Sequence, residues 1–182
     1  MRQAFIDLGA NEGHVSFDFA LHNPTFEIYC VEPNATLIPR IVERTLGLTN
    51  LVTIVRAAAW ITDGVVELFQ STSHVASTVV KGKVEYQNWP QIDYDRPVNV
   101  PCFDFSQWLV RNFALNDEVT VKMDIEGSEY DVLEKMVTDG SIKLVRKLIC
   151  EWHADRYPHI EAERHKTLKE RVGSLTTLED WF

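Results

Sequence analysis

The chain has 182 residues, 25% of them charged, and a formal net charge of −9. This length and composition are typical of one globular domain with a sizeable core, and a negative charge without a Lys/Arg cluster argues against nucleic acid as the main partner. No apolar run reaches the roughly 20 residues of a membrane span. Asp7 interrupts the stretch where a secretory signal would be apolar, so we predict a cytoplasmic protein.

The first third of the chain alternates short β-rich runs with helical stretches. Its predicted elements, in chain order, are a strand at 4–8, a glycine loop, a helix at 15–22, a strand at 26–31, a helix that begins at 33–34 and a strand at 51–55. This alternation is typical of an α/β fold with a mainly parallel sheet. We predict one such domain over residues 1–182.

The middle of the chain is less regular. Asp63-Gly64 is a turn signal, so residues 65–69 are predicted to form a strand of an extra hairpin. The stretch 71–97 is polar and aromatic without a clear period, and so long a stretch inside a compact domain is usually functional or mobile. A short strand at 98–102 is expected at a sheet edge because Pro101 has no backbone N–H to donate.

Regular alternation returns in the last third. The predicted elements there are a helix at 105–113, a strand at 119–123, a helix at 128–137, a strand at 145–150 and a helix at 160–172. The sequence shows no internal repeat and no low-complexity tail, which agrees with a single domain.

A glycine loop, residues 7–13 (DLGANEG), follows the first strand. Ligands of open parallel sheets bind beyond the carboxyl ends of the strands, and Gly9 and Gly13 would let the backbone turn sharply and approach a ligand. Glu32 follows the second strand, so its carboxylate lies beside this loop, where it can accept hydrogen bonds from both hydroxyls of a ribose. Two plainer interpretations stay open: a tight turn without a ligand, and a favourable helix N-terminal acid for Glu32.

The glycine spacing distinguishes two cofactors that share such a ribose site. A dinucleotide requires G-x-G-x-x-G, whose backbone N–H groups face a pyrophosphate. The corresponding positions here are Gly9, Asn11 and His14, so two of the three glycines are missing. S-adenosylmethionine has no phosphate and presents an α-amino group, which suits an acid such as Asp7. The loop therefore favours S-adenosylmethionine over NAD.

Three separate blocks of the sequence resemble the FkbM family of methyltransferases. Residues 6–13 (IDLGANEG) are similar to the family's D-x-G-A-N-x-G loop, and residues 31–33 (VEP) to its V-E-P block. Residues 121–130 (VKMDIEGSEY) are similar to its K-x-D-x-E-G-x-E block, the most specific of the three. The order and spacing of the blocks agree as well, and the resemblance covers roughly residues 4–155.

The resemblance implies a Rossmann-like methyltransferase fold with a doubly wound sheet. It also implies methyl transfer from S-adenosylmethionine to a hydroxyl of a sugar, lipid or secondary metabolite, which makes the partner a small-molecule or glycan acceptor. Carried over by position, the cofactor-binding residues are Asp7, Gly9, Asn11 and Gly13 at the methionine end, Glu32 and Pro33 at the ribose, Ala58 or its neighbour Ala57 at the adenine, and Asp124 near the methyl group.

The ends of the chain depart from the family pattern. The sequence starts at the first strand, without the preceding helix that covers the site in many such enzymes. After the last helix only residues 173–182 remain, which is too short for the full final antiparallel hairpin of the fold. We therefore expect a shortened C-terminal end, and whether another chain supplies the missing elements stays open.

Three residues are predicted to be catalytic: Asp124, Glu126 and His153. Asp124 ends the fourth strand, whose carboxyl end should face the methyl group, and Glu126 lies in the same turn, where two carboxylates can raise each other's pKa and make one a base. His153 follows the fifth strand and has an ordinary pKa near neutrality, so it could also take the hydroxyl proton. The alternatives are a helix cap for Glu126, first-turn helix charge for Glu129, and a solvated loop position for His153.

Other interpretations also stay open. Asp124 and Glu151 could hold Mg²⁺ through oxygen ligands, but no third ligand is evident in the sequence, so we predict no metal site. Tyr86 and Trp89 could stack on a sugar ring, close a lid or only anchor the long segment. The competing functions are a cofactor-binding accessory domain without turnover and an NAD-dependent oxidoreductase.

Overall fold

The structure is a computed structural model that describes residues 1–72, 76–84 and 91–181. Tyr86 and Trp89, with the role predicted for them, lie outside the described residues. In chain order, the described residues form β1 (Gln3–Leu8), α1 (His14–His22), β2 (Glu27–Val31), α2 (Ile38–Thr45), β3 (Val52–Val55), β4 (Ala58–Trp60), β5 (Gly64–Leu68), β6 (Val98–Asp104), α3 (Phe105–Asn112), β7 (Glu118–Met123), α4 (Glu129–Asp139), β8 (Lys147–Cys150), α5 (Ala162–Gly173) and β9 (Thr177–Asp180).

Six strands form one sheet in the order β3-β2-β1-β7-β8-β9, and every neighbouring pair is parallel. β1 is central, because Leu8 pairs with Val31 of β2 on one side and with Met123 of β7 on the other. The strand order therefore reverses between β1 and β7. This arrangement confirms the predicted Rossmann-like α/β fold, and such sheets bind ligands outside the carboxyl ends of the strands at the reversal point.

Helices cover both faces of the main sheet. Successive side chains of a strand point to opposite faces, so neighbouring residues of β1 pack against different helices. Phe5 of β1 packs with Ile41 of α2 in one buried cluster, whereas Ile6 packs with Leu133 of α4 in the cluster on the other face. The sheet is thus doubly wound, as predicted. Within the described ranges, none of the helices is both long and apolar enough to cross a membrane.

The extra β structure forms a second sheet of three strands in the order β4-β6-β5. β5 is antiparallel to β6, while the short β4 runs parallel to β6 and has no counterpart in the sequence prediction. β6 is the middle strand, so the predicted edge position is wrong for the strand as a whole. Pro101 is tolerated because it pairs only with Val65 of β5, and pairing with β4 begins one residue later, at Cys102.

Two further elements differ from the prediction, β9 at the C-terminus and the start of α2. β9 adds a parallel strand beside β8, with Asp180 opposite Cys150, and its residues, T-L-E-D, include two acids of low β-propensity and so give no clear strand signal. α2 begins at Ile38, later than predicted. The residues before it form a loop, in which Glu32 accepts the Asn34 N–H and Asn34 accepts the N–H of residue 36.

Candidate active site

A cavity opens at the carboxyl ends of β1, β2 and β7, where the strand order reverses. The space between its walls is about 610 Å³, which includes solvent at its open mouth. Six of the eight predicted cofactor-binding residues line it: Gly9, Asn11, Glu32, Pro33, Ala58 and Asp124.

Gly9 occupies a position that admits no side chain. Its φ of 78° is left-handed, and a Cβ would lie 1.9 Å from the carbonyl oxygen of Asp124. The loop after β1 therefore packs directly against the turn that follows β7. The N–H groups of Gly9 and Ala10 both donate to the Val31 carbonyl at 3.0 Å, which fixes the same loop to β2.

The two predicted binding residues that do not line the cavity have partners inside the protein. Asp7 is buried, and its Oδ2 accepts a hydrogen bond from Ser16 at 2.7 Å while its Oδ1 lies 3.3 Å from Lys122 Nζ. Gly13 packs on α2, where its Cβ would meet the Cα of Ile41 at 3.5 Å. Both residues thus shape the loop from the side of the core.

Lys122 of β7 is a buried cation between the two central strands. Its Nζ contacts carboxylate oxygens of Asp7 and Asp124, each at 3.3 Å, and donates to the Gly9 carbonyl at 3.0 Å. Burial lowers the pKa of this lysine, but the two carboxylates outweigh that effect and the net shift is upward. The Lys122 ammonium therefore stays charged at the floor of the site.

Glu32 is held at the cavity by two backbone N–H groups. One carboxylate oxygen accepts from Asn11 at 2.9 Å and the other from Asn34 at 2.8 Å. A carboxylate has about four acceptor positions, so two remain for a ligand. Burial raises the pKa of Glu32 to about 7, although both hydrogen bonds act to lower it.

The turn after β7 holds Glu126 in an unusual backbone conformation. Its φ of 55° is left-handed, which is uncommon for a residue other than glycine. The Glu126 carbonyl accepts hydrogen bonds from the Thr78 hydroxyl at 2.7 Å and from the Tyr157 hydroxyl. At Gly127 a Cβ would lie 2.4 Å from the Tyr157 ring. Contacts from two distant segments therefore fix this turn.

Glu129 closes the same turn from the first residue of α4. It is a fully buried acid, so the interpretation as ordinary first-turn charge misses its main contacts. Its carboxylate accepts the N–H groups of Ile125 and Gly127, each at 2.8 Å, and lies 3.1 Å from Nδ1 of His153. Glu129 thereby orients the imidazole, in the way that carboxylates orient functional histidines elsewhere.

His153 is buried rather than solvated. Its Nε2 lies 3.4 Å from Glu126, 3.6 Å from Glu151 and 3.8 Å from a carboxylate oxygen of Asp124. Burial lowers the pKa of the imidazole, but Glu129 and the other carboxylates raise it more, to about 9. His153 is therefore charged at neutral pH.

The segment 76–84 supplies a wall of the cavity that the sequence did not predict. Ser77, Thr78 and Val79 line the cavity, and the Lys83 ammonium forms an ion pair with the Glu126 carboxylate. Lys83 and Glu126 are 43 residues apart in the chain. A lysine in an irregular segment carries no local signal of such a contact, so no pattern in the sequence could have found it.

Asp124, Glu126 and His153 also meet a geometric requirement for metal ligands, because one ligand atom from each lies within 4.8 Å of the others. The candidate ligand set in the structure is therefore Asp124 with Glu126 and His153, whereas the sequence suggested Asp124 with Glu151. However, Lys83 contacts the Glu126 carboxylate, and Asp124 already has a lysine partner. A metal ion would compete with these cations of the protein.

Comparison with known proteins identifies the family of the chain. The family model described as the methyltransferase FkbM domain matches residues 7–172, a range that includes the glycine loop, Glu32, the turn after β7 and His153. No curated protein and no solved structure matches the chain. Since the family model covers most of the 182 residues, the chain belongs to the FkbM family of methyltransferases.

Proposed function

We propose that this methyltransferase uses S-adenosylmethionine as its methyl donor. The observation that carries the proposal is the Glu32 carboxylate, which two backbone N–H groups hold at the cavity wall with acceptor positions left over. Two hydroxyls of a ribose are the donors that match such an acceptor. When bound, the cofactor supplies an activated methyl group on a sulfonium, so the protein has to align the acceptor and remove a proton.

The hydrogen bonds of the glycine loop support the same donor. Asp124 and Glu126 are each paired with a buried lysine, so they offer little free charge to a ligand. The backbone N–H groups that would face the pyrophosphate of NAD are used within the protein, since those of Gly9 and Ala10 both donate to Val31. Asp7 contributes indirectly, because its carboxylate is already occupied by Lys122 and Ser16.

We further propose that the acceptor is a hydroxyl of a sugar, lipid or secondary metabolite and that Glu126 takes its proton. Glu126 lies at the cavity wall, and burial raises its pKa above the ordinary value, which brings a carboxylate closer to the range of a useful base. His153 holds a proton at neutral pH, so its role is better described as a cation that orients the carboxylates. Asp124 lies in the same turn as Glu126, and its carboxylate contacts Lys122.

Calorimetric titration with S-adenosylmethionine and with NAD tests the choice of cofactor. We expect binding of S-adenosylmethionine and none of NAD, and tight binding of NAD alone would overturn the proposal. A panel of hydroxylated sugars, lipids and small metabolites, assayed for S-adenosylhomocysteine release, then tests turnover. Binding without release across the panel would favour an accessory domain, and wild-type release by Glu126→Gln would overturn the role of Glu126.

A further inference from the structure

Lys83 is a deeply buried lysine whose partner is a residue of the cavity wall. Its side chain is 5% exposed, and its ammonium forms an ion pair with the Glu126 carboxylate. Lysines are almost never buried to this degree unless they are paired, because removing an ammonium from water is costly. The contact therefore joins segment 76–84 to the turn after β7 through two opposite charges.

The backbone around Lys83 is anchored on both sides. The Lys83 N–H donates to the Tyr94 hydroxyl at 3.0 Å, and the Val84 N–H donates to the Arg156 carbonyl at 2.7 Å. These bonds hold the segment against the rest of the domain, so the ammonium meets Glu126 from a defined direction. This differs from a surface lysine, which pays conformational entropy to form an ion pair and contributes little by it.

Glu126 is surrounded by charges of both signs. The titratable groups that face it belong to Lys83, Asp124, Glu151, His153 and Tyr157. Burial raises the pKa of the Glu126 carboxyl, His153 and Lys83 lower it, and Asp124 raises it. Lys83 and His153 thus both oppose the effect of burial on the pKa of this carboxyl.

We propose that Lys83 is a positioning residue for methyl transfer, whose ammonium fixes the Glu126 carboxylate, in its proton-accepting form, at the cavity wall. The inference rests on the proposed function, in which Glu126 takes the proton of the acceptor hydroxyl. Lys83 itself does not touch the reacting atoms in this scheme. Its effect on the reaction passes through the orientation and the charge of Glu126.

Lys81 provides a matched control within the same segment. Its side chain is 68% exposed, and its ammonium pairs with Glu67, away from the cavity. The variants are Lys83→Met, which removes the charge, Lys83→Arg, which keeps it, and Lys81→Met. Circular dichroism checks that each variant folds, and Lys83→Gln replaces Lys83→Met if the apolar side chain is not accepted.

The first readout needs no acceptor. NMR of isotope-labelled glutamate side chains, assigned with Glu126→Gln, follows the titration of the Glu126 carboxyl in each folded variant. Without Lys83 we expect the midpoint to rise by about one pH unit or more, while Lys83→Arg and Lys81→Met keep the wild-type midpoint. An unchanged midpoint after removal of the Lys83 charge would overturn the inference.

The second readout is the pH profile of transfer to the acceptor identified by the panel described above. Loss of the Lys83 charge should move the acid limb of kcat to higher pH, with the Kd for S-adenosylmethionine unchanged. An acid limb that stays in place would overturn the role of Lys83 in transfer. Failure of the proposed function is seen separately, because Glu126→Gln would then transfer methyl at the wild-type rate whatever the lysine variants do.

Discussion

Replacing Glu32 by glutamine tests the ribose site with the smallest change of shape. Glutamine keeps one acceptor oxygen but puts an NH₂ group in place of the other, so one ribose hydroxyl loses its charged acceptor, and either the Asn11 or the Asn34 N–H loses its partner as well. A hydrogen bond to a charged acceptor contributes about 1.5–3 kcal/mol, and about 1.4 kcal/mol corresponds to tenfold in affinity. We therefore expect the Kd for S-adenosylmethionine to rise by about 10- to 100-fold.

The raised pKa of Glu32 adds a second signature. With a pKa of about 7 in the free protein, the carboxyl is partly protonated at neutral pH, and protonation removes acceptor capacity. Wild-type affinity should therefore increase as the pH rises through neutrality, whereas the affinity of Glu32→Gln should be flat over the same range. Affinity rises with pH because the ionised carboxylate is the form that accepts hydrogen bonds from the ribose hydroxyls.

Calorimetric titration at several pH values measures both effects. Glu12→Gln is the matched control, because Glu12 lies in the same loop but pairs with Arg40 and Arg44 outside the cavity wall. Its Kd should equal that of the wild type. A Glu32→Gln protein with wild-type Kd and wild-type pH dependence would refute the assignment of Glu32 to the ribose.

Four further outcomes are expected. Gly9→Ala should cost more than about 2 kcal/mol of unfolding free energy in urea denaturation, because its Cβ would overlap the Asp124 carbonyl. The pKa of His153 is raised from 6.5 to about 9. At a pH below 6.5, the wild type should therefore be more stable than His153→Gln by roughly 3 kcal/mol of unfolding free energy. This difference should disappear as the pH rises through about 9. Glu129→Gln should lower the pKa of His153, measured by NMR of the imidazole. EDTA should leave methyl transfer unchanged because Lys83 already contacts Glu126 and Lys122 contacts Asp124; a loss of activity restored by Mg²⁺ would contradict this.

The parts of the site that could be predicted lie directly after strands. The glycine loop, Glu32 and Asp124 each follow a strand of the parallel sheet, and carboxyl ends of parallel strands meet at one edge. Strand prediction therefore places these residues together even before the sheet order is known. The family resemblance adds roles to these positions, but it is the topology that brings them to one cavity.

The parts that could not be predicted depend on contacts between distant segments. Thr78 and Tyr157 both bind the Glu126 carbonyl, yet neither lies in a periodic element that would fix its direction. Glu129 has the sequence position of an ordinary helix N-terminal acid, and only its burial shows that it also holds His153. β9 (T-L-E-D) and β4 (A-A-W) are missed for a simpler reason, since neither has the run of β-branched residues that marks the equally short β3 (V-T-I-V).

The single ammonium of Lys122 has a consequence for how such a site can change. It contacts Asp7 of β1, Asp124 after β7 and the Gly9 carbonyl. Separating β1 from β7 would leave these buried charges without partners, which costs about 3–5 kcal/mol. The side of the cavity that we propose for the methyl donor is therefore rigid. We expect adaptation to acceptors of another size at the part of the cavity wall that segment 76–84 supplies. Exchanging that segment should alter which molecule is methylated while the methyl donor stays the same.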